Sequence, residues 1–258
     1  MNSNDTAMPP LSVVMTTYNG AAYLAEQLGS ILPQLDEADE LVVSDDGSTD
    51  TTQALLRAAA QEDPRIRIVA SPGGLGPIRN FEHALGHARG AVLVLSDQDD
   101  KWLPGRLDRV RHHFDRATTS FDLLVLDSII ADGSLTPTEG SLFAYLDVGT
   151  GQVKNIVRNT YVGCHMAFRR ELLSVALPFP QAISMHDVWL GLVSELVGPV
   201  TFAPGATMLF RRGGHNYTQA RYSLMRRLTW RVGLVRSLLE LRLSKRFRRA
   251  RAAAGMAA

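Results

Sequence analysis

Short apolar runs alternate with stretches of helical spacing through the first hundred residues. The runs at 11–16, 40–44, 66–70 and 91–96 predict four strands. The spacing predicts helices over 21–32, where Pro33 ends the pattern, and over 51–60 and 79–88. Strand–helix alternation of this kind predicts a doubly wound α/β domain with a mostly parallel central sheet flanked by helices. The strands are near-continuously apolar, as they must be when helices cover both faces. Three of them end in polar turns, at residues 16–19, 45–50 and 97–100. In a parallel sheet all strand C-termini lie on one edge, outside which ligands bind. Side chains far apart in sequence are therefore expected to form one polar rim.

Past residue 100 the pattern continues with a helix over 103–114 and a strand over 121–127, and then dissolves. Residues 131–155 are polar, with Gly and Pro, and carry Phe143 and Tyr145. A mobile loop or short helices over the site are both consistent with that composition. A strand is predicted over 160–168, a helix opening at Arg169, a loop over 178–184, a helix starting at Met185, and a strand pair over 200–210. The basic stretch Arg211-Arg212-Gly213-Gly214-His215-Asn216 either closes over a diphosphate or links to the tail. In the tail, Leu224, Leu228, Val232, Val235, Leu239 and Leu243 recur at helical spacing among arginines.

Charge sharpens the division between body and tail. The chain of 258 residues has a net charge of +1, yet residues 221–258 hold eleven Lys and Arg and a single acid, Glu240. The remainder carries about −9. A basic amphipathic helix with Trp230 suits an anionic membrane surface, and it equally suits packing on a body of opposite charge. No base-reading or stacking groups accompany it, so nucleic acid is not an expected partner. The expected organisation is a disordered leader over 1–10, a catalytic domain over 11–218 and a helical tail over 219–258. One cysteine, Cys164, excludes an internal disulfide and suits a reducing compartment, with the thiol read as a small core hydrophobe. Residues 1–10 lack an apolar signal core, and no stretch reaches the roughly 20 apolar residues of a span. A cytoplasmic protein, peripheral at the inner face of the cell membrane, is the expectation.

Chemistry concentrates at the end of the fourth strand. Asp97, Asp99 and Asp100 lie within four positions and repel one another unless a cation sits among them. A divalent metal bridging to phosphate answers that repulsion, whereas a helix-capping turn explains any one of the three alone. Arg79, at the start of a helix behind a Gly-rich loop, suits a diphosphate together with the free N–H groups there. Asp187, beside His186 at a helix N-terminus, is a candidate general base. The helix terminus lowers its basicity, so burial has to oppose it.

These motifs resemble glycosyltransferase family 2 with the glycosyltransferase-A fold. The likeness is carried by Val13-Val14-Met15-Thr16-Thr17-Tyr18-Asn19, Val43-Ser44-Asp45-Asp46-Gly47-Ser48-Thr49-Asp50, Gly76 with Arg79-Asn80, and Leu95-Ser96-Asp97-Gln98-Asp99-Asp100. It extends in order over about 11–216. The Ser-Asp-Gln-Asp-Asp-x-Trp form is further similar to rhamnosyltransferase-like bacterial members that build surface polysaccharides. The resemblance implies that Thr16, Tyr18, Asn19 and Asp46 hold the nucleoside and that Arg79 lies near the nucleotide. It implies that Asp97 and Asp99 form a DxD motif, with Asp97 at the nucleotide and Asp99 as ligand to Mn²⁺ or Mg²⁺, and that Asp187 is the base. Relatives often pair that base with a second acid, where this chain has His186. His215 is displaced from the usual loop position of a diphosphate or metal contact. The implied activity is inverting transfer of a sugar from a UDP- or dTDP-sugar, dTDP-rhamnose among them, to a hydroxyl of a glycan or lipid-linked glycan. A catalytically silent nucleotide-sugar-binding or scaffold protein of the same fold is the rival.

Overall fold

Strand alternation sorts the apolar residues onto two sheet faces, and that sorting builds the core. The computed structural model describes residues 9–117, 119–212 and 223–256. Its first half runs β1 (Leu11–Thr17), α1 (Ala21–Ile31), β2 (Glu40–Asp45), α2 (Thr52–Glu62), β3 (Ile66–Val69), α3 (Gly76–His87) and β4 (Val92–Ser96). Val13 and Met15 of β1, Leu41 and Val43 of β2, and Val92 and Val94 of β4 pack on one face with Leu24 and Leu28 of α1. Their neighbours Val14, Val42, Leu93 and Leu95 pack on the other face with Phe81 and Leu85 of α3. Period-2 alternation produces this division. Each such side chain taken from water contributes about 1.5–3 kcal/mol.

The second half runs β5 (Lys101–Trp102), α4 (Arg106–Arg116), β6 (Leu123–Ala131), β7 (Pro137–Ser141), α5 (Leu142–Leu146), α6 (Gln152–Val157), β8 (Met166–Arg169), α7 (Leu173–Ala176), α8 (His186–Val197), β9 (Val200–Arg211), α9 (Leu224–Leu243) and α10 (Lys245–Ala253). The sheet order is β3-β2-β1-β4-β8-β6-β9-β5, with β7 on β6. Strands β3, β2, β1 and β4 are parallel, as the alternation predicts. Beyond β4 the sheet is mixed: β8 is antiparallel to both β4 and β6, while β9 is parallel to β6. Their connections carry short helices and turns that allow either direction.

Three expectations need correction here. The strand expected over 160–168 begins only at Met166, because Gly163–His165 forms a 3₁₀ turn. The apolar pattern conceals that turn, since Cys164 and His165 are themselves fully buried. The strand expected over 121–127 runs on to Ala131. The pair expected over 200–210 is one strand whose register slips from Leu126↔Ala203 to Asp127↔Ala206. The extra residues include Gly205 at φ 95°, and Arg109 holds the carbonyls of Pro204 and Gly205 at 2.7 and 2.8 Å. Pro204-Gly205 makes a bulge within one strand, not a break between two.

The tail joins the body. Leu234, Leu238 and Leu241 of α9, with Phe247 and Ala250 of α10, belong to the same apolar cluster as Trp189 of α8. Arg231 donates to the carbonyl of Val157, and Arg246 to that of Leu177.

Candidate active site

The polar rim forms where the parallel strands end, and side chain–backbone bonds lock its turns together. Gln98, between the two acids of the Asp97–Asp99 pair, accepts from Tyr18 N at 2.9 Å and donates to Tyr18 O at 3.0 Å. A Cβ on Gly20 would stand 2.2 Å from Gln98 Oε1, so this approach requires glycine. Asn19 adopts φ 48° and ties the first turn to the second: its N–H donates to Ser48 Oγ at 2.8 Å, and its Oδ1 accepts from Thr49 N at 2.8 Å. Asp45 holds the second turn, accepting from Thr17 Oγ1 at 2.7 Å, Ser48 Oγ at 2.6 Å and Gln53 Nε2 at 3.0 Å. Burial opposes ionisation of Asp45, yet these donors hold its pKa below the usual range.

Asp46 reaches the third element. Its Oδ1 accepts from Leu75 N at 2.7 Å and its Oδ2 from Gly76 N at 2.8 Å. Two N–H groups expected to face a diphosphate at the start of α3 are thus taken by a carboxylate of the chain itself, which caps the helix. Arg79, one turn further on, pairs with Glu82 and donates to Phe179 O at 2.9 Å, while Glu82 accepts from Phe179 N at 3.1 Å. The guanidinium expected near a nucleotide therefore fastens α3 to the 178–184 loop. Tyr18 is 57% exposed and offers an open aromatic surface at the rim.

At the end of β4 the acids crowd. Ligand-type atoms of Asp97, Asp100 and Cys164 lie within 4.8 Å of one another; Asp99 is outside that group. Burial, then the charge of Asp99, raises the Asp97 carboxyl to about 7, and the charge of Asp187 adds to the effect. Burial likewise raises Asp99, with Arg211 opposing, and raises Asp100 well above the carboxylate range. Asp100 Oδ1 accepts from Arg211 N at 2.9 Å, but its buried Oδ2 has no partner among the described residues. The Cys164 thiol is pushed far up by burial and stays protonated. Arg106, wholly buried, donates to Cys164 O at 2.7 Å and to Thr207 Oγ1 at 2.6 Å. Arg211, expected in a loose basic loop, ends β9: its Nε donates to Asp99 O at 2.6 Å and its Nη2 to Glu26 at 2.9 Å. His215 lies outside the described residues.

The 163–165 turn brings Asp187 to this cluster. Gly163 donates its backbone N–H to Asp187, and the next residue is Cys164. Val188 N also donates to Asp187, and Asn159 Nδ2 donates to it at 3.3 Å. Burial outweighs these donors and raises the Asp187 carboxyl to about 7. His186, where relatives are expected to hold an acid, is buried against Phe81 at 4.2 Å between ring centres. Burial lowers its pKa to about 3, so the ring is neutral. Neither ring nitrogen has a hydrogen-bond partner among the described residues.

The Glycosyl transferase family 2 model matches residues 12–176. The chain belongs to glycosyltransferase family 2. This glycosyltransferase-family chain is 30% identical over 219 residues to the succinoglycan biosynthesis protein ExoO of Rhizobium meliloti, covering 79% of this chain and 61% of ExoO. It therefore spans about three fifths of that relative's length. It is 25% identical to the putative teichuronic acid biosynthesis glycosyltransferase TuaG of Bacillus subtilis, covering 72% and 73%. Among solved structures, S. aureus TarS residues 1–349 in complex with UDP-GlcNAc superposes with a TM-score of 0.65 at 19% identity, over 83% of this chain and 62% of that one. The mannosyltransferase PcManGT of Pyrobaculum calidifontis, in complex with GDP-Man and Mn²⁺, gives a TM-score of 0.59 at 17% identity, over 97% and 85%. At these identities the likeness shows the fold, which is the glycosyltransferase-A fold of the family.

Sequence reading picked out the acids of the rim and missed the groups that hold them. Gln98, Asp45 and Arg106 carry turn or helix signals only, and their long-range partners are invisible until the sheet is assembled.

Proposed function

We propose that this chain is an inverting, metal-dependent glycosyltransferase that moves a sugar from a UDP- or dTDP-sugar to a hydroxyl of a glycan or lipid-linked glycan in surface polysaccharide synthesis. The observation that carries the reading is the meeting of Asp187 with the Asp97–Asp100 cluster across the 163–165 turn, with no ion pair to any of these carboxylates among the described residues. The names of ExoO and TuaG support the polysaccharide setting, and the UDP-GlcNAc bound to TarS supports a uridine donor.

The roles follow from position. Tyr18 and Asn19, with Thr16 at the strand end, flank the nucleoside. Asp46 keeps lone pairs beyond its two α3 bonds and accepts from the base. Arg79 fixes the 178–184 loop beside the nucleotide through Phe179. Asp187 takes the proton of the acceptor hydroxyl, whose oxygen attacks the anomeric carbon from the face opposite the leaving group. A pKa near 7 keeps Asp187 basic enough for that task.

A hard divalent cation fits the donor set. The partnerless Oδ2 of Asp100 and the upward pKa shifts of all three acids are what a cation relieves. Asp99 would hold it, with the close pair Asp97 and Asp100 beside it, while the neutral thiol of Cys164 is a poor ligand for such an ion. When bound, the metal supplies charge neutralisation for the departing nucleoside diphosphate. We place the enzyme peripherally at the inner face of the cell membrane, with the catalytic unit over 11–218 and the tail over 219–258. No helix among the described residues is long and apolar enough to cross a membrane.

Calorimetric binding of UDP and dTDP, with and without Mn²⁺, to the wild type and to Asp99→Ala tests this. Metal-dependent binding lost in the variant is the expected result, and the tighter nucleotide names the base. Absence of binding by either nucleotide under all conditions overturns the reading. Asp187→Asn is expected to abolish transfer and spare donor binding; unchanged transfer removes Asp187 from the mechanism.

A further inference from the structure

Helix α9 is apolar on two sides, and the body covers only one. Leu234, Ser237, Leu238 and Leu241 face the core and are buried. Gly233 lies against Ala182, where a Cβ would stand 2.6 Å from the alanine side chain. The other side carries Leu224, Leu228, Val232, Val235, Leu239 and Leu243, spaced by three and four residues over five turns. Their exposures are 83, 55, 61, 39, 53 and 79%. A surface helix needs one apolar stripe to dock on its own domain. A second continuous stripe of this length marks an interaction surface.

Charge identifies the occupant. At 100° per residue, Arg231 and Arg242 fall along one edge of the stripe and Arg236 along the other; the Arg231 guanidinium is bonded to the Val157 carbonyl and Arg236 pairs with Glu240 at 2.8 Å, so the positive charge offered beside the stripe is chiefly that of Arg242 and of α10. All three are exposed, as are Lys245, Arg248 and Arg249 on α10, and Glu240 is the single acid of residues 221–258. A second copy presenting the same stripe would bring like charges together. An anionic lipid surface meets both features: leucines enter the acyl boundary, and the long arginine stems carry their heads back to the phosphates. On its body side, Arg227, Trp230 and Arg231 line a cleft of about 200 Å³ together with Asn159 and Val188, two of the residues that donate to Asp187.

We infer that the exposed stripe of α9 is a docking face for an anionic membrane, which α9 meets lying in the plane of the interface. This deepens the membrane placement proposed above, on which it rests, and it involves no catalytic step, so vesicle binding and sugar transfer fail separately.

The test is sedimentation of the full chain with phosphatidylcholine vesicles, with and without phosphatidylglycerol. Binding is expected only when phosphatidylglycerol is present, and it should weaken as salt rises from about 0.1 to 0.5 M. Neutralising Arg242 and Lys245 to Gln should weaken it about fivefold for each residue. The triple change Leu228→Glu, Val232→Glu, Leu239→Glu should lower it at least about a hundredfold, with the melting temperature unchanged because all three positions are exposed. A triple serine variant, which adds no charge, should lose about tenfold or more. Absence of binding to phosphatidylglycerol vesicles, or equal binding by the wild type and the glutamate variant, overturns the inference. So does a wild-type dimer that the glutamate variant dissolves while vesicle binding is absent, since the stripe would then belong to a second copy.

Discussion

Asp187→Asn should cost the enzyme its base and make the protein more stable, and the pH dependence of that gain can be worked out. The carboxyl titrates at about 7 in the fold, raised by burial, and at about 3.8 when exposed. The sign is opposite to that of a salt-bridged carboxylate. Between these values the unfolded chain has lost a proton that the fold still holds, so stability falls as pH rises. The cost is nil below about 3.8, roughly 1.5 kcal/mol at pH 5, and about 4 kcal/mol at pH 8, where it levels off, from 1.36 kcal/mol per pKa unit.

Asparagine removes this charge and keeps an oxygen for the N–H of Val188 and the amide of Asn159. Its own buried NH₂ group costs about 1–3 kcal/mol if unpaired, equally at every pH. The difference in stability between variant and wild type should therefore widen by about 3 kcal/mol from pH 5 to pH 8, whatever the amide costs. For a chain of this size that corresponds to a divergence of about 6–12 °C in melting temperature. Calorimetric melts of both proteins, in chelator to keep the acid cluster free of metal, measure it. A gap that stays constant with pH, or narrows, refutes the claim that Asp187 is a buried, high-pKa carboxylate. With Asp187 in the proposed role of base, transfer is expected to fall about tenfold per pH unit below about pH 7, as that carboxylate becomes protonated.

Other consequences lie at the rim and behind it. Gly20→Ala drives a Cβ into Gln98, and Gln98→Ala removes both bonds to Tyr18; either should weaken UDP binding up to about thirtyfold by calorimetry, at about 1 kcal/mol for each of the two bonds lost. Asp46→Ala uncaps α3 and should lower unfolding free energy by about 1–2 kcal/mol in urea titrations, besides weakening nucleotide binding. Arg106→Ala leaves Cys164 O and Thr207 Oγ1 without their donor, and a loss of about 2–5 kcal/mol in the same titration is expected. Tyr161→Phe deletes a 2.6 Å bond to Glu195, and should cost about 1–2 kcal/mol while leaving the nucleotide end of the site intact.

The parallel half of the fold was legible because its signals are local and repeated: β1, β2, β3 and β4 are short, mostly apolar runs, and β1, β2 and β4 lead into polar turns rich in Asp, Asn, Gly and Ser. The rim followed, because parallel strands leave their C-termini no other edge. The second half was not legible for a physical reason. Residues 160–168 are buried almost throughout, yet the chain turns at Gly163 so that Cys164 can lie under the acids and His165 can bond Ser128 at 2.8 Å. Burial pattern alone cannot separate a buried turn from a buried strand. The stripe in the tail shows the converse. Its spacing was visible, but the partner was not, since Leu234, Leu238 and Leu241 form a second apolar face that takes the body's core.

The placement of positive charge ties the stability of the frame to the chemistry of the site. Arg106 lies under the acid cluster and directs its hydrogen bonds to a carbonyl and a hydroxyl, while Arg211 beside it bonds the Asp99 carbonyl and Glu26. These arginines fix backbone around the acids, and burial keeps the Arg106 pKa down at about 10 rather than raised by an ion pair. Asp97, half-buried, and Asp100, buried, are consequently left close and repelling, a state that costs stability without a cation. A sheet edge with three such acids and a fourth across one turn is poorly suited to a role in structure alone. It becomes favourable when a divalent ion and an anionic diphosphate enter together, because each then supplies the charge the other lacks. Nucleotide and metal should therefore bind with positive linkage, each tightening the other by the same factor. UDP affinity that does not change with Mn²⁺ would assign the upward-shifted acids to structure.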